Sequence, residues 1–159
     1  MAAKRASDMG STKDAYNLKR FVEAQEGIYG QALRELRNGQ KESHWMWFIF
    51  PQIDGLGSSS TARHYAIKSL EEARAYLAHP VLGTRLKECC EAILAIRGRT
   101  ASEIFDFPDD LKLRSSMTLF AVAEKGDSLF SRVLDKYFGG KMDERTLQIM
   151  GLEQAGGAT

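Results

Sequence analysis

Apolar residues recur along most of this chain at steps of three and four, the spacing that places them on one face of an α-helix. Leu18, Phe21, Val22, Tyr29, Ala32, Leu33 and Leu36 follow this rhythm from Asp14 onward. Gly27 and Gly30 interrupt it, so the pattern predicts two helices or one kinked helix, ending at Asn38 and Gly39. The block from His44 to Phe50 is nearly all aromatic or apolar and stops at Pro51. Its length suits a buried strand or a short buried helix, and a helix is favoured because no partner strand is evident. Residues 61–68 allow a helical turn or two. Ser69 with Glu72 has the form of a capping box, and predicts a helix that runs to Ala78 and stops before Pro80. Val81, Leu82, Leu86, Cys89, Cys90, Ile93, Leu94 and Ile96 mark a long amphipathic helix closed by Gly98.

Thr100 with Glu103 repeats the capping signal for a short helix through Phe105. Pro108, Asp109 and Asp110 resemble a first helical turn, continued by Leu113, Met117, Phe120 and Ala121. Asp127 is expected to open a further helix that Gly139 and Gly140 end, and Asp143 to cap a last one reaching Met150. The fold class is therefore all-α, a single globular domain of about six to seven helices over residues 14–150. Residues 1–13 and 151–159 show no periodic apolar face and are expected to be disordered tails.

Composition supports one domain and leaves the activity open. The 159 residues are 43% hydrophobic and 27% charged, enough for a core. Lysine and arginine total 22 against 21 acidic residues, so no global field points to nucleic acid. Nucleic acid ranks last among the partners considered, because Glu23, Glu26 and Glu35 dilute the basic Lys19, Arg20, Arg34 and Arg37. With no apolar run of bilayer length and no secretory leader, a soluble, cytoplasmic protein without membrane contact is expected. Cys89 and Cys90 are adjacent, which suits neither a disulfide framework nor a spaced thiolate metal site. On an amphipathic helix they should lie half in the core and half at the surface.

Candidate chemistry is sparse. The segment from Asp54 to Thr61, DGLGSSST, has the look of a phosphate loop, yet Ser60 stands where the third glycine of a dinucleotide fingerprint belongs and no GK[ST] follows. A turn whose serines cap the next helix explains it better. His44 and Trp47 share one helical face, where an indole could stack on a base or sugar. Arg63, His64, Tyr65 and Lys68 make a polar cluster in which Tyr65 should be half-buried. Lys112, Ser115 and Ser116 form one stripe of their helix, suited to an anionic ligand, although Asp109 and Asp110 oppose that charge. No HExxH, GxSxG or CxxC is present, the three histidines are far apart, and neither a metal site nor a cofactor is expected.

The stretches SHWMWFIFPQIDGLG at 43–57, RHYAI at 63–67, AYLAHPVLGTRL at 75–86 and KLRSSMTLF at 112–120 resemble a bacterial and fungal family known as domain of unknown function eighteen-ten. The resemblance runs from about Leu18 to Gly151. It implies an all-α fold with one central helix surrounded by about five others, named after a mycobacterial hypothetical protein, and an unassigned biochemical role. A looser likeness joins Phe50, Pro51, His64, Tyr65 and Lys68 to the NADAR family, whose members act on N-glycosidic bonds. In that family a glutamate implicated in catalysis stands before the HY pair, whereas this chain has Arg63.

These observations lead to a helical domain with a pocket lined by His44, Trp47, Gln52, Tyr65, Lys112 and Ser116, each a polar or amphipathic residue in an otherwise apolar segment. The expected ligand is a small molecule with phosphate or nucleotide character. His44 is the first candidate for acid–base catalysis, since histidine titrates near neutrality, and an N-glycosidase or ADP-ribosyl hydrolase is the enzyme version. A noncatalytic module that binds a protein partner through an apolar patch is the other alternative.

Overall fold

A helix leaves its first amides without partners, and here side chains at the helix starts supply them. The computed structural model describes residues 14–152. Among them ten helices form: α1 Lys19–Gln25, α2 Tyr29–Arg37, α3 Met46–Ile49, α4 Ser60–His64, α5 Leu70–Ala78, α6 Leu82–Leu94, α7 Ala101–Phe105, α8 Asp109–Ala123, α9 Leu129–Phe138 and α10 Glu144–Ile149. Ser59, Ser69 and Asp143 accept the amides of Ala62, Glu72 and Thr146, and Thr100 forms a reciprocal box with Glu103. The helix predicted from Asp127 is capped one residue later. Ser128 bonds reciprocally with Ser131, while Asp127 is exposed and pairs with Arg132 at 3.1 Å. Gly139 closes α9 in the left-handed conformation, at φ 61°.

The all-α architecture agrees with the sequence pattern, and the larger helix count has a simple source. Six helices have seven residues or more, and the remaining four have four to six residues each and fall where the sequence offered a short apolar block, a helical turn or a cap, so the higher count comes from these short pieces standing as separate helices. Among the described residues no strand forms, and a single parallel bridge joins Ile53 to Ile67. The expected tails at 1–13 and 153–159 lie outside the described residues. Gly151 and Leu152 complete the end of α10, with the Leu152 amide donating to the Leu147 carbonyl at 2.7 Å.

Helix α8 is the central element, as the family resemblance implied. Leu113 and every residue from Ser115 to Ala121 are buried, and α5, α7, α9 and α10 pack against it. An aromatic line crosses the core from α1 through α5 and α8 to α9: Phe21, Tyr76, Phe120 and Phe130 follow one another with ring centroids 5.1, 5.4 and 5.6 Å apart. Helices α5 and α6 meet so closely that a Cβ on Gly83 would lie 2.1 Å from the Leu77 carbonyl oxygen. No helix among the described residues is long and apolar enough to cross a membrane.

Four side chains expected wholly or partly at the surface are internal. Both cysteines are fully buried, and loss of hydration pushes the Cys89 thiol up to about 12 and Cys90 well above its ordinary value. Arg20 and Glu35, counted among the surface charges by sequence, are buried in hydrogen-bond networks. Glu35 accepts the Glu42 and Ser43 amides, the Ser43 hydroxyl, the Gln31 amide and the Trp45 indole at 2.6 to 3.0 Å. Burial alone would raise its pKa. The hydrogen bonds from Ser43, the Glu42 amide and Trp45 outweigh that and hold the carboxyl at about 2.

Candidate functional site

The segments at 51–57 and 65–68 are not helical, so their buried backbone groups need other partners. They pair with each other. The Ile67 amide donates to the Gln52 carbonyl and the Asp54 amide to the Ile67 carbonyl, both at 2.8 Å. The buried side chains of Ile53 and Ile67 anchor the bridge, which sets Gln52 beside the segment carrying Tyr65.

Arg20 fixes that segment from behind. Its guanidinium donates to the His64 and Ala66 carbonyls, on either side of Tyr65, and to the Glu72 carboxylate, each at 2.8 Å. The remaining two donors go to the Tyr16 and Asn17 carbonyls, so every N–H of the fork is used. The other Glu72 oxygen accepts the Lys68 amide at 2.9 Å. Tyr65 is thereby held half-buried, with ring centroids 5.5 Å from Phe48 and 5.9 Å from Phe21.

Trp47 from α3, Leu111, Lys112 and Ser115 from α8, and Asp143 and Arg145 at the start of α10 complete the walls of a cleft of about 460 Å³. Gln52, Leu56, Ser58, Ser59, Ala62, Tyr65 and Pro108 also line it. The Lys112 ammonium lies 4.9 Å from the centre of the Trp47 ring and 3.5 Å from Asp109. The other Asp109 oxygen lies 2.9 Å from the Lys41 ammonium, which sits 4.9 Å from the Trp45 ring. One carboxylate thus joins two lysines, each resting on a tryptophan, and Lys112 keeps part of its charge for the cleft.

Of the six site residues expected from sequence, the structure brings Trp47, Gln52, Tyr65 and Lys112 into this cleft. His44 is exposed one residue before buried Trp45 and does not line it, because the helical face shared by His44 and Trp47 requires helix at 44, and α3 starts only at Met46. Ser116 is fully buried on the inner side of α8, its hydroxyl without a hydrogen-bond partner among the described residues. Its neighbour Ser115 takes the cleft-lining place. Arg63, His64 and Lys68 are exposed outside the cleft, and Lys68 lies 3.5 Å from Asp54. Ser59 caps α4, as the turn reading of the serine run required.

Sequence reasoning missed Arg145 and Asp143 as lining residues and Arg20 as the support for Tyr65. Arg145 sits in a short helix with no periodic signal linking it to Lys112. Asp143 was legible as a cap, and one of its oxygens is taken up by that role: it accepts the Ser115 hydroxyl at 3.0 Å and both the amide and hydroxyl of Thr146. The other lies 4.0 Å from the Arg114 guanidinium. The capping oxygen is thus committed to structure, and the carboxylate is fixed in place at the cleft wall. Among the described residues no group of three or more His, Cys, Asp or Glu side chains could hold a metal ion.

Comparison with known proteins places this geometry on a family background. The family model DUF1810, described as a protein of unknown function, matches residues 15–150. A crystal structure of the conserved hypothetical protein Rv1873 from Mycobacterium tuberculosis is 52% identical, with a TM-score of 0.86, over 87% of this chain and 99% of that one. No protein with curated annotation matches.

Proposed function

Since the chain belongs to the DUF1810 family, whose description assigns no activity, we propose on the strength of its cleft that it is a small-molecule-binding domain for a ring-bearing anion of nucleotide-like or phosphorylated character. The observation that carries this reading is the convergence of Trp47, Gln52, Tyr65 and Lys112, from three separate stretches of chain, on one concave site of about 460 Å³. An indole, a carboxamide, a phenol and an ammonium are the groups that stack on a planar ring, read its polar edge and hold a negative charge. The reading is of binding rather than turnover, because the acid–base candidate His44 stands outside the cleft and the carboxylate that lines it, Asp143, serves as the cap of α10 through one oxygen. Two unpaired buried thiols suit a reducing compartment, and we place the protein in the cytoplasm.

A thermal-shift panel of nucleotides, NAD, ADP-ribose and sugar phosphates tests this, since a ligand that binds only the folded state raises its melting temperature. One chemical class should give a saturable rise of several degrees in the native protein and none in Lys112→Ala. A flat response across the panel at millimolar concentration would contradict it.

A second reading, a noncatalytic interaction surface, draws on exposed apolar residues around Pro108, one of them in the cleft wall. Phe107 is 75% exposed and Leu111 43%. On that reading Phe107→Asp should leave the melting temperature unchanged and abolish capture of a protein partner; capture unaffected by the substitution would count against it.

A further inference from the structure

Lys112 is where charge and ring meet in the cleft, and two residues outside the walls act on it. Its ammonium lies 4.9 Å from the centre of the Trp47 ring and 3.5 Å from one oxygen of Asp109. An acid three residues earlier on the same helix is an ordinary partner for a lysine, and such a pair offsets part of the lysine's charge. A third group changes that balance here. The other Asp109 oxygen lies 2.9 Å from the Lys41 ammonium, the shorter of the two pairs.

Lys41 is anchored behind the cleft. Its side chain is only 7% exposed, and its ammonium donates to the Ser43 carbonyl at 2.5 Å. The same ammonium rests 4.9 Å from the centre of the Trp45 ring, which is fixed in turn by its indole bond to Glu35. Neither Lys41 nor Asp109 lines the cleft, whereas Lys112 does and is 28% exposed. Asp109 is therefore compensated from the drier side, where the closer pair is the stronger one, and its pull on Lys112 is correspondingly weak.

We infer that Lys41 is a positioning residue for the cleft: by neutralising Asp109 it leaves the Lys112 ammonium on the Trp47 ring, free to hold the anionic group of a ligand. This rests on the cleft being a site for ring-bearing anions, and it assigns to Lys41 and Asp109 the setting of how strongly an anion is preferred over its uncharged counterpart. Without Lys41, Asp109 has Lys112 as its one cationic partner among the described residues, draws it from the indole and offsets its charge.

Isothermal titration of the full chain with adenosine monophosphate, NAD, ADP-ribose and glucose 6-phosphate, and with adenosine and glucose as uncharged counterparts, tests this. Lys41→Met should weaken the tightest anion about three- to fivefold, the effect of one partly exposed charge pair, and leave its uncharged counterpart unchanged. Asp109→Asn should strengthen the anion about threefold, and the two substitutions together should restore native affinity. A merely structural role for Lys41, through Trp45 and Ser43, predicts equal weakening of charged and uncharged compounds with no rescue by Asp109→Asn. That result, or an unchanged anion affinity in Lys41→Met, would overturn the role of Lys41 and leave the cleft as the site. If Lys41→Met does not fold, Asp109→Asn alone decides, and unchanged or weaker anion binding in it overturns the inference. No binding of any of these anions to the native protein, together with a flat thermal-shift panel, would defeat both the role and the site.

Discussion

Glu35 and Trp45 show how much of the fold depends on one carboxylate. Glu35 accepts five hydrogen bonds in a position only 7% exposed, so its charge is compensated by donors and not by water. Its carboxyl is held at about 2, below the ordinary 4.5, so the stabilisation is full above pH 4.5 and lost as pH falls toward 2. The loss is on the order of 3 kcal/mol. Urea unfolding at pH 7 and pH 3 should show about 2 kcal/mol of it in the native protein, since pH 3 still lies above the folded value. Glu35→Gln should be less stable at pH 7 and lose little more at pH 3. Cys89 and Cys90 give a second expectation: buried and protonated at pH 8, neither should react with a thiol reagent until the protein is unfolded, when both react. At this scale the sequence was least informative. A polar residue beside an apolar run points inward or outward according to where the helix begins, and α3 begins two residues after His44. Ser115 and Ser116 were equally plausible from a three- or four-residue step, and the packing of α10 against α8 separates them.

Helix ends were far more legible, because a cap is a local bargain between neighbouring groups. Ser69, Thr100 and Asp143 cap where their spacing predicts. The start of α9 differed because Asp127 and Ser128 are both competent caps, and the reciprocal bond with Ser131 favours Ser128. Two element-scale contacts make sharp predictions. Gly83→Ala forces a methyl group into the Leu77 carbonyl, so α5 and α6 must separate, with an expected loss of about 3 kcal/mol or more in chemical denaturation. Arg20→Met leaves Glu72 and the carbonyls flanking Tyr65 without their donor, and should cost about 3–5 kcal/mol. Because Arg20 sits behind Tyr65, ligand affinity should fall in that variant even where it remains folded. The Ile53–Ile67 bridge was not foreseeable, since one pair of residues leaves no strand pattern in a sequence.

Over the whole molecule, central α8 decides what the cleft is made of. Its inner face builds the core, while Leu111, Lys112 and Ser115 turn toward the loops after α3 and α4 and toward α10. The all-helical class and the central helix could be anticipated from periodicity and family resemblance. Convergence of the walls could not, because Trp47, Lys112 and Arg145 are joined only by tertiary packing. The most direct test uses the two tryptophans as internal controls. Trp47 lines the cleft, whereas Trp45 is fully buried with its indole N–H on Glu35 at 2.9 Å. In amide NMR spectra of the protein titrated with the member of the thermal-shift panel that stabilises it most, the Trp47 indole resonance and the amides of Gln52, Tyr65 and Arg145 should shift together and saturate, with the Trp45 indole unmoved. Saturable shifts elsewhere that leave Trp47 unmoved, or no shift at all, would contradict the assignment of this cleft as the binding site.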